Sequence, residues 1–192
     1  MGREFELKYT ATEASQQAIR AKFGDFRCIA METTYFDTVD GALSAHKMTL
    51  RLRRENDIAI CTLKTPLPDG SRGEWECEAD TIETGCAKLL TLGAPTILHE
   101  LAANGLQIAC GARFTRQATE IPTADGTAEL AIDSGILLGG SKEIPLCEVE
   151  IELKTGSDAA VQVLANQIAA EFGLTEEPRS KFQRASALAK GE

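Results

Sequence analysis

Charged and apolar residues alternate along many stretches of this chain. In residues 3–10, the charged side chains of Glu4, Glu6 and Lys8 are separated by apolar ones. Successive side chains of a β-strand point to opposite faces, so the three charges would share one face of a strand and the apolar residues the other. The pattern predicts an N-terminal strand whose apolar face packs on the core, while its charged face lies in water or lines a polar cavity.

Similar alternation, or a high content of strand-forming residues, predicts further strands. They are expected within residues 26–38, 48–54, 58–64, 73–79, 112–121, 127–134 and 146–154. The Pro- and Gly-rich stretch 65–70 and the Asp125-Gly126 pair are typical of hairpin loops. Because hairpin signals outnumber strand–helix–strand alternation, we expect a mostly antiparallel sheet rather than a doubly wound parallel one.

Helical periodicity appears in four regions, and capping residues mark several of their ends. The regions are 12–23, 81–105 in two pieces broken near Gly93, 158–172, and a last helix from Pro178 to Ala189. Thr12 or Thr10 is the expected N-cap of the first helix, and Ser157 is the expected N-cap of the helix 158–172. Together with the strands, these helices predict one α+β domain over residues 1–192.

The charge composition limits the kinds of molecule that the chain is expected to bind. The chain has 192 residues, and its 20 Lys and Arg against 29 Asp and Glu give a formal net charge of −9. Nucleic acids and anionic membranes attract broadly basic surfaces, so neither is expected as a partner. No apolar run approaches the roughly 20 residues of a membrane-spanning helix, and the N-terminus does not read as a signal peptide.

The six cysteines point to a reducing compartment. None forms a C-x-x-C pair, and the two histidines stand far apart in the sequence. Most of the cysteines have apolar neighbours, which is typical of buried, reduced thiols that fill a core. We therefore expect a cytoplasmic protein without disulfides or a zinc site.

The charged strand faces allow two interpretations. An open sheet could expose them to water, with weak pairs between neighbouring strands. Alternatively, a closed barrel could turn them inward around a charged ligand. Glu148, Glu150 and Glu152 follow one another along a single strand face, an arrangement that costs repulsion unless cations lie nearby. Because carboxylates suit Mg²⁺ or Mn²⁺ while Arg and Lys suit phosphate oxygens, a metal–polyphosphate ligand is one hypothesis.

The Glu4-x-Glu6-x-Lys8 motif resembles the N-terminal signature of the CYTH domain, the family of triphosphate tunnel metalloenzymes. Further markers follow in the order found in that family and extend along nearly the whole chain. They are the stretches 35–38, 50–53, 63–64, 72–76, 114–116, 132–133, 148–150 and 180–181. The Arg72-Gly-Glu-Trp-Glu76 run looks most like bacterial inorganic triphosphatases.

This resemblance implies an eight-stranded antiparallel β-barrel that forms a triphosphate tunnel, with helices packed outside. It also implies a residue set for each task. The expected ligands of Mg²⁺ or Mn²⁺ are Glu4, Glu6, Asp133, Glu148 and Glu150. The expected phosphate-binding residues are Lys8, Arg51, Arg53, Lys64, Arg116 and Lys181. The expected catalytic residues are Lys8, Glu76 and Asp133, with Glu76 orienting the basic residues or a water molecule.

Several positions near these motifs are less clearly assigned. Glu74, Glu78 and Glu152 share strand parity with the site. Arg113 has the parity opposite to Arg116 and is expected to point outward, while Arg184 on the last helix is expected to be solvated. The resemblance further implies that Glu4 and Glu6 face Glu148 and Glu150 across the barrel.

Three functions remain open from the sequence. The resemblance favours a metal-dependent triphosphatase that hydrolyses inorganic tripolyphosphate or an organic or nucleoside triphosphate. A class IV adenylyl cyclase and a non-catalytic polyphosphate- or nucleotide-binding module are the alternatives. In each case the expected partner is a small triphosphate, and the protein could be a monomer or a homodimer.

Overall fold

A computed structural model describes residues 2–3, 5–67 and 72–191 of the chain. Within these ranges, ten strands form one antiparallel sheet in the order β1-β6-β5-β4-β3-β7-β8-β9-β2-β10. The strands are β1 (Gly2–Arg3), β2 (Glu6–Thr10), β3 (Arg27–Thr38), β4 (Thr49–Glu55), β5 (Ile58–Pro66), β6 (Arg72–Glu78), β7 (Leu106–Pro122), β8 (Thr127–Gly139), β9 (Lys142–Thr155) and β10 (Thr175–Glu176). The helices are α1 (Glu13–Phe23), α2 (Ala42–Ala45), α3 (Ile82–Thr91), α4 (Ile97–Ala103), α5 (Asp158–Phe172) and α6 (Lys181–Lys190).

The N-terminal segment connects the two sides of this sheet. Its first part, β1, pairs with β6, where Gly2 lies opposite Glu74. Its second part, β2, pairs with β9, where Lys8 lies opposite Glu150. The predicted α+β antiparallel fold is confirmed. The sheet forms a tunnel, but it is not a barrel with continuous strand pairing, because its two sides are joined through β1 and β2, two short strands of the same N-terminal segment.

Most helices begin and end where the sequence predicts. The hydroxyl groups of Thr12 and Ser157 accept hydrogen bonds from the first turns of α1 and α5. The region 81–105 is divided into α3 and α4, as expected from Gly93. The last helix differs, because it begins at Lys181 after a Ser180 N-cap and not near Pro178. The short α2 and β10 were not predicted.

The outer face of the sheet is covered by helices in two places. Helices α3 and α4 pack on one part through a core that contains Leu89, Leu98 and Trp75. Helices α1 and α5 pack on another part, around Ile19 and Ile151. These contacts bury the apolar faces of the alternating strands, so the opposite, charged faces are left to line the interior.

Helix α6 departs from the expectation that all helices pack outside. Its Phe182 and Ala185 belong to a third core with Tyr35, Phe114 and Leu146. Tyr35 and Phe114 line the interior cavity together with Phe182. The sequence therefore predicts the existence of this helix but not its position, which is against the inner face of the sheet.

The six cysteines differ in their exposure to solvent. All six cysteines are free, and Cys61, Cys86 and Cys110 are buried, but Cys28 is exposed. Burial raises the pKa of Cys86 to about 11, so this thiol stays protonated near neutral pH. Within the described residues, no helix combines the length and apolar character needed to cross a membrane.

Candidate functional site

The inner strand faces enclose a cavity of about 470 Å³. Many of the predicted site residues line it, and they come from several strands and from α6. The lining residues that were predicted from the sequence are Glu6, Lys8, Arg51, Arg53, Lys64, Glu76, Arg116, Glu150 and Lys181. The interpretation of an open, solvated sheet is therefore wrong, because the charged faces surround a shared cavity.

Strand register explains how the acidic residues come together. Asp133 of β8 lies directly opposite Glu148 of β9, and on its other side opposite Arg116 of β7. Directly opposed residues of an antiparallel pair point to the same face of the sheet. Glu150 lies two residues further along β9, so its carboxylate also points inward. Carboxylates from two neighbouring strands thereby meet on the inner face.

These carboxylates form a compact group of oxygen atoms. One oxygen from each of Asp133, Glu148 and Glu150 lies within 4.8 Å of the others, and all three residues are buried. Mg²⁺ and Mn²⁺ prefer oxygen ligands, and carboxylates are the usual protein donors. We call this group the carboxylate cluster. Its donor set fits a hard divalent cation.

Lys181 of α6 contacts every member of the carboxylate cluster. Its Nζ atom lies 2.8 Å from Asp133 Oδ2, 2.7 Å from Glu148 Oε2 and 2.6 Å from Glu150 Oε1. Burial alone would favour a neutral amine, but the three carboxylates outweigh it and raise the pKa of Lys181. The side chain predicted to bind phosphate is thus a charged ammonium that holds the carboxylates together.

Two arginines complete the pairing of the carboxylate cluster. Arg116 donates from Nε and Nη2 to the two Asp133 oxygens, at 2.8 and 2.7 Å, and it also pairs with Glu150. Arg184 Nη2 lies 2.9 Å from Glu148 Oε1. The expectation that Arg184 is solvated is wrong, because its side chain is nine-tenths buried against this carboxylate. The sequence does indicate that Arg184 faces the site, because residues three apart share a helix face and Lys181 is a predicted site residue.

The acidic residues of the cluster differ in their ionisation. Burial opposes the charge on Glu150, but Lys181 and Arg116 outweigh it and hold the pKa of Glu150 well below its usual range. Burial dominates at Glu148, whose pKa is raised despite the attraction of Lys181. Glu150 is therefore the more firmly ionised of the two, and protonation at low pH begins at Glu148.

A second group of charges comes from β4, β5 and β6. Lys64 Nζ lies 3.3 Å from Glu74 Oε1, and Arg51 Nη2 lies 3.7 Å from the same oxygen. Arg51 Nη2 is also 3.6 Å from Glu76 Oε1. Arg53 pairs with Glu55. We call Arg51, Arg53 and Lys64 the basic wall.

Arg53 of the basic wall has a buried donor that an anion could accept from. Burial lowers the pKa of its guanidinium, and the neighbouring positive charge of Arg51 lowers it further. Its Nε atom is buried and has no hydrogen-bond partner among the described residues. A buried donor without a partner is costly, so a phosphate oxygen at this point would be stabilising.

Glu76 lies at the mouth of the cavity. Burial opposes its charge, but a 2.8 Å hydrogen bond from the Thr62 hydroxyl and the charge of Arg51 outweigh it and lower the pKa of Glu76. A carboxylate that stays ionised suits the orientation of neighbouring cations better than the uptake of a proton.

The N-terminal motif is only partly described. Glu4 lies outside the described residues. Glu6 Oε1 is 3.0 Å from Lys8 Nζ, and the register puts Glu6 opposite Glu152. For Glu6, the expectation of a position across the barrel from Glu150 is wrong, because β2 and β9 are adjacent strands.

The remaining positions separate into lining and outward residues. Glu152 lines the cavity and pairs with Lys154 at 2.9 Å. Glu78 is exposed outside the lining. Arg113 points outward as predicted and lies 3.7 Å from the exposed Glu143. The inward-facing Phe114 has Lys181 Nζ 5.3 Å from its ring centre, a distance typical of cation–π contact.

Comparison with known proteins identifies a family over nearly the whole chain. The family model described as the CYTH domain matches residues 2–186. An inorganic triphosphatase from Haemophilus influenzae is 27% identical over 164 residues, which are 82% of this chain and 47% of that protein. The chain thus spans about half the length of this curated relative.

Solved structures share the architecture. A candidate adenylate cyclase from Bacillus halodurans superposes with a TM-score of 0.67 at 25% identity, covering 96% of this chain and 98% of that one. A candidate adenylyl cyclase from Hippeastrum, described as having a dominant triphosphatase activity, gives a TM-score of 0.68 at 20% identity, covering 98% of this chain and 96% of that one. At 20% identity, the second likeness concerns the fold alone.

Proposed function

Because the chain belongs to the CYTH domain family, we propose that it is a triphosphatase that depends on a divalent metal ion. It would hydrolyse a phosphoanhydride bond of inorganic tripolyphosphate or of an organic or nucleoside triphosphate. The observation that carries this proposal is that Glu150 of the carboxylate cluster lines one cavity together with the basic wall. Asp133 and Glu148 are fully buried and meet Glu150 without lining the cavity themselves. The inorganic triphosphatase relative from Haemophilus influenzae supports the same class of substrate.

The carboxylate cluster would hold Mg²⁺ or Mn²⁺ through Asp133, Glu148 and Glu150. Glu6 is a further candidate ligand at the cavity lining, and Glu4 remains a candidate from the sequence. A divalent cation at this point would withdraw negative charge from the phosphate oxygens beside it. The oxygen donors fit such an ion, since they are carboxylate oxygens that lie within 4.8 Å of one another.

The basic wall would bind the phosphate groups. Arg51 and Arg53 offer planar guanidinium donors, and Lys64 adds a point charge. Lys8 would act beside them from β2, where its pKa is raised: burial opposes the charge, but Glu6 outweighs it. Fixed cations of this kind hold a polyphosphate in one orientation and stabilise the charge that develops as its bond breaks.

Arg116 and Lys181 would change partners when a triphosphate binds. Both side chains line the cavity while they contact carboxylates. A phosphate oxygen competes for the same N–H donors, so a bound triphosphate would draw these cations toward itself. The carboxylate oxygens would then be released as ligands. Lys181 and Arg116 thus remain proposed phosphate-binding residues, with a second role as counter-charges of the carboxylate cluster.

Water is the proposed nucleophile. Both histidines, His46 and His99, are exposed and lie outside the described cavity lining. Glu76 would keep Arg51 oriented toward the phosphates through its contact with that guanidinium. Asp133 would act as a member of the carboxylate cluster, and Lys8 would act by binding the phosphates. Together with Glu76, these are the three residues proposed as catalytic.

A phosphate-release screen tests the proposal. Tripolyphosphate, thiamine triphosphate and ATP are each incubated with the protein in Mg²⁺, in Mn²⁺ and in EDTA. Phosphate release from at least one of them, lost in EDTA, is the expected result. Binding of a triphosphate without turnover in either metal would instead indicate a non-catalytic binding module.

An adenylyl cyclase is the second candidate, because the similar Bacillus halodurans protein is described as a candidate adenylate cyclase. The two activities give different products from ATP. A hydrolase releases phosphate, whereas a cyclase closes the ribose 3′-oxygen onto the α-phosphate and releases cyclic AMP with pyrophosphate. Chromatography of the ATP products therefore decides between them, and cyclic AMP would overturn the triphosphatase proposal.

A further inference from the structure

Gln16 is a buried polar residue on the outer side of the carboxylate cluster. It lies on α1 and is only 2% exposed. The neighbouring buried residue of the same helix, Ile19, belongs to the apolar core between the sheet and its covering helices. A glutamine in such a place carries a desolvation cost that an apolar residue would avoid, unless its hydrogen bonds are made.

All the hydrogen-bonding atoms of the Gln16 amide have partners. Its Nε2 atom donates to the main-chain oxygen of Asp133 at 3.1 Å and to that of Glu148 at 3.2 Å. Its Oε1 atom accepts from the Ser134 hydroxyl at 2.7 Å and from Arg20 Nη2 at 3.4 Å. The direction of the amide follows from chemistry, since a carbonyl oxygen can only accept and must face the nitrogen.

The two carbonyl groups belong to two of the three residues of the carboxylate cluster. Asp133 and Glu148 are opposite each other on neighbouring strands, and both side chains point inward. One side-chain amide on the outer face thus joins the main chains of two residues whose carboxylates meet on the inner face. Carboxylates at this distance repel each other, and the joined main chains oppose their separation.

We propose that Gln16 is a positioning residue that fixes the spacing of the Asp133 and Glu148 carboxylates and thereby sets the affinity for the divalent metal. The inference rests on the proposed function, because it takes the carboxylate cluster as the metal site. Groups that orient metal ligands from behind typically contribute about 10- to 100-fold in metal affinity. Gln16 touches neither the cavity nor a phosphate, so its effect is confined to the acidic side.

The test compares two substitutions of Gln16 with two controls. Gln16→Met keeps the length of the side chain and removes both donors, while Gln16→Asn keeps the amide but is too short to span both carbonyls. Ile19→Val loosens the same helix contact without touching the carbonyls. Ser134→Ala removes one hydrogen bond of the Gln16 network but leaves both bonds to the carbonyls.

Mn²⁺ binding to the full chain is measured by calorimetry, together with tripolyphosphate binding in EDTA. We expect Gln16→Met to weaken Mn²⁺ binding at least about tenfold, with both controls within twofold of the original protein. Tripolyphosphate binding in EDTA should stay within twofold in every variant, because the basic wall lies on other strands. If Gln16→Met does not fold, Gln16→Asn provides the same comparison.

Three outcomes overturn different statements. Equal Mn²⁺ affinities in Gln16→Met and Ile19→Val would remove the positioning role and leave the triphosphatase proposal intact. Loss of tripolyphosphate binding in EDTA by the Gln16 variants would show a general structural role and also overturn the inference. Absence of Mn²⁺ binding in the unsubstituted protein would overturn both the metal site of the proposed function and the inference built on it.

Discussion

The ammonium group of Lys181 lies 2.6 Å from the Glu150 carboxylate, although α6 and β9 are separate elements of the fold. This ion pair joins the helix on the inner face of the sheet to the acidic side of the cavity. Lys181 contacts two further carboxylates as well. Its removal would leave three buried carboxylates paired with Arg116 and Arg184, with Lys8 on the neighbouring strand at longer range.

We predict that Lys181→Met destabilises the protein in a metal-dependent way. Removing one partner of a buried ion pair typically costs about 3–5 kcal/mol, and a divalent cation can replace the missing charge. Unfolding by urea should therefore show a large loss of stability in EDTA and a smaller one in Mn²⁺. Lys190→Met, on the exposed end of the same helix, is the control. A stability that does not respond to Mn²⁺ would contradict the proposed metal position.

Glu150→Gln should abolish metal-dependent phosphate release while the fold persists. The substitution removes one charged carboxylate that is proposed to bind the metal, yet Lys181 keeps its contacts to Asp133 and Glu148. We expect kcat to fall at least about 100-fold, the upper end of what changes behind a metal ligand cost. Circular dichroism checks the fold. Glu143→Gln, an exposed change on the same strand, should keep full activity, and turnover retained in Glu150→Gln would refute the ligand assignment.

Arg53→Gln should weaken triphosphate binding, because its buried guanidinium offers a donor that has no partner among the described residues. A lost charge-assisted hydrogen bond costs about 1.5–3 kcal/mol, which corresponds to roughly a 10- to 100-fold increase in Kd. Calorimetry with tripolyphosphate in EDTA measures this directly. The neighbouring Arg54 is exposed, so Arg54→Gln provides a matched control. Equal affinities of the two variants would exclude Arg53 from the phosphate site.

The Glu177–Arg179 pair should contribute stability that is lost in acid. Hydrogen bonds from Arg179 lower the pKa of Glu177 from its ordinary value of 4.5 to about 2. Because the folded pKa is depressed, the contribution is complete above about pH 4.5 and disappears as the pH falls toward about 2. Arg179 is largely exposed, so screening by solvent keeps this contribution small.

Urea unfolding at several pH values measures this contribution. The unsubstituted protein should lose more stability than Glu177→Gln between pH 4.5 and pH 2. Glu176→Gln, which changes the exposed neighbouring carboxyl, should follow the unsubstituted protein. Parallel curves for Glu177→Gln and the unsubstituted protein would show that the ion pair does not stabilise the fold.

Strand periodicity was enough to predict which residues share the inner face. The period of two puts Arg51 with Arg53 and Glu148 with Glu150, whatever the rest of the fold does. Periodicity does not determine the register between strands, so it could not show that Asp133 lies opposite Glu148. The same register puts Glu6 opposite Glu152 and not opposite a member of the carboxylate cluster.

The sequence contains a signal for the residue at which α6 begins. Ser180 and Gln183 form a capping box, with reciprocal hydrogen bonds that fix the first turn at Lys181. That pair is visible in the sequence and marks the helix start better than Pro178 does. The packing of Phe182 on Tyr35 requires the tertiary fold, as does the buried amide of Gln16 beneath two distant strands. Such contacts join segments that local patterns treat separately.

The pairing of the N-terminal segment has a consequence for the order of folding. Residues 2–3 can pair only after β6 is present, and residues 6–10 only after β9 is present. Strand β9 lies more than a hundred residues later in the chain. Contacts between such distant segments form late, because the intervening chain loses entropy before they are made. During synthesis the hairpins of β4, β5 and β6 can pair early, while the acidic side of the cavity must wait for β9. We therefore expect the ribosome-bound chain to bind no metal at this site until β9 has emerged.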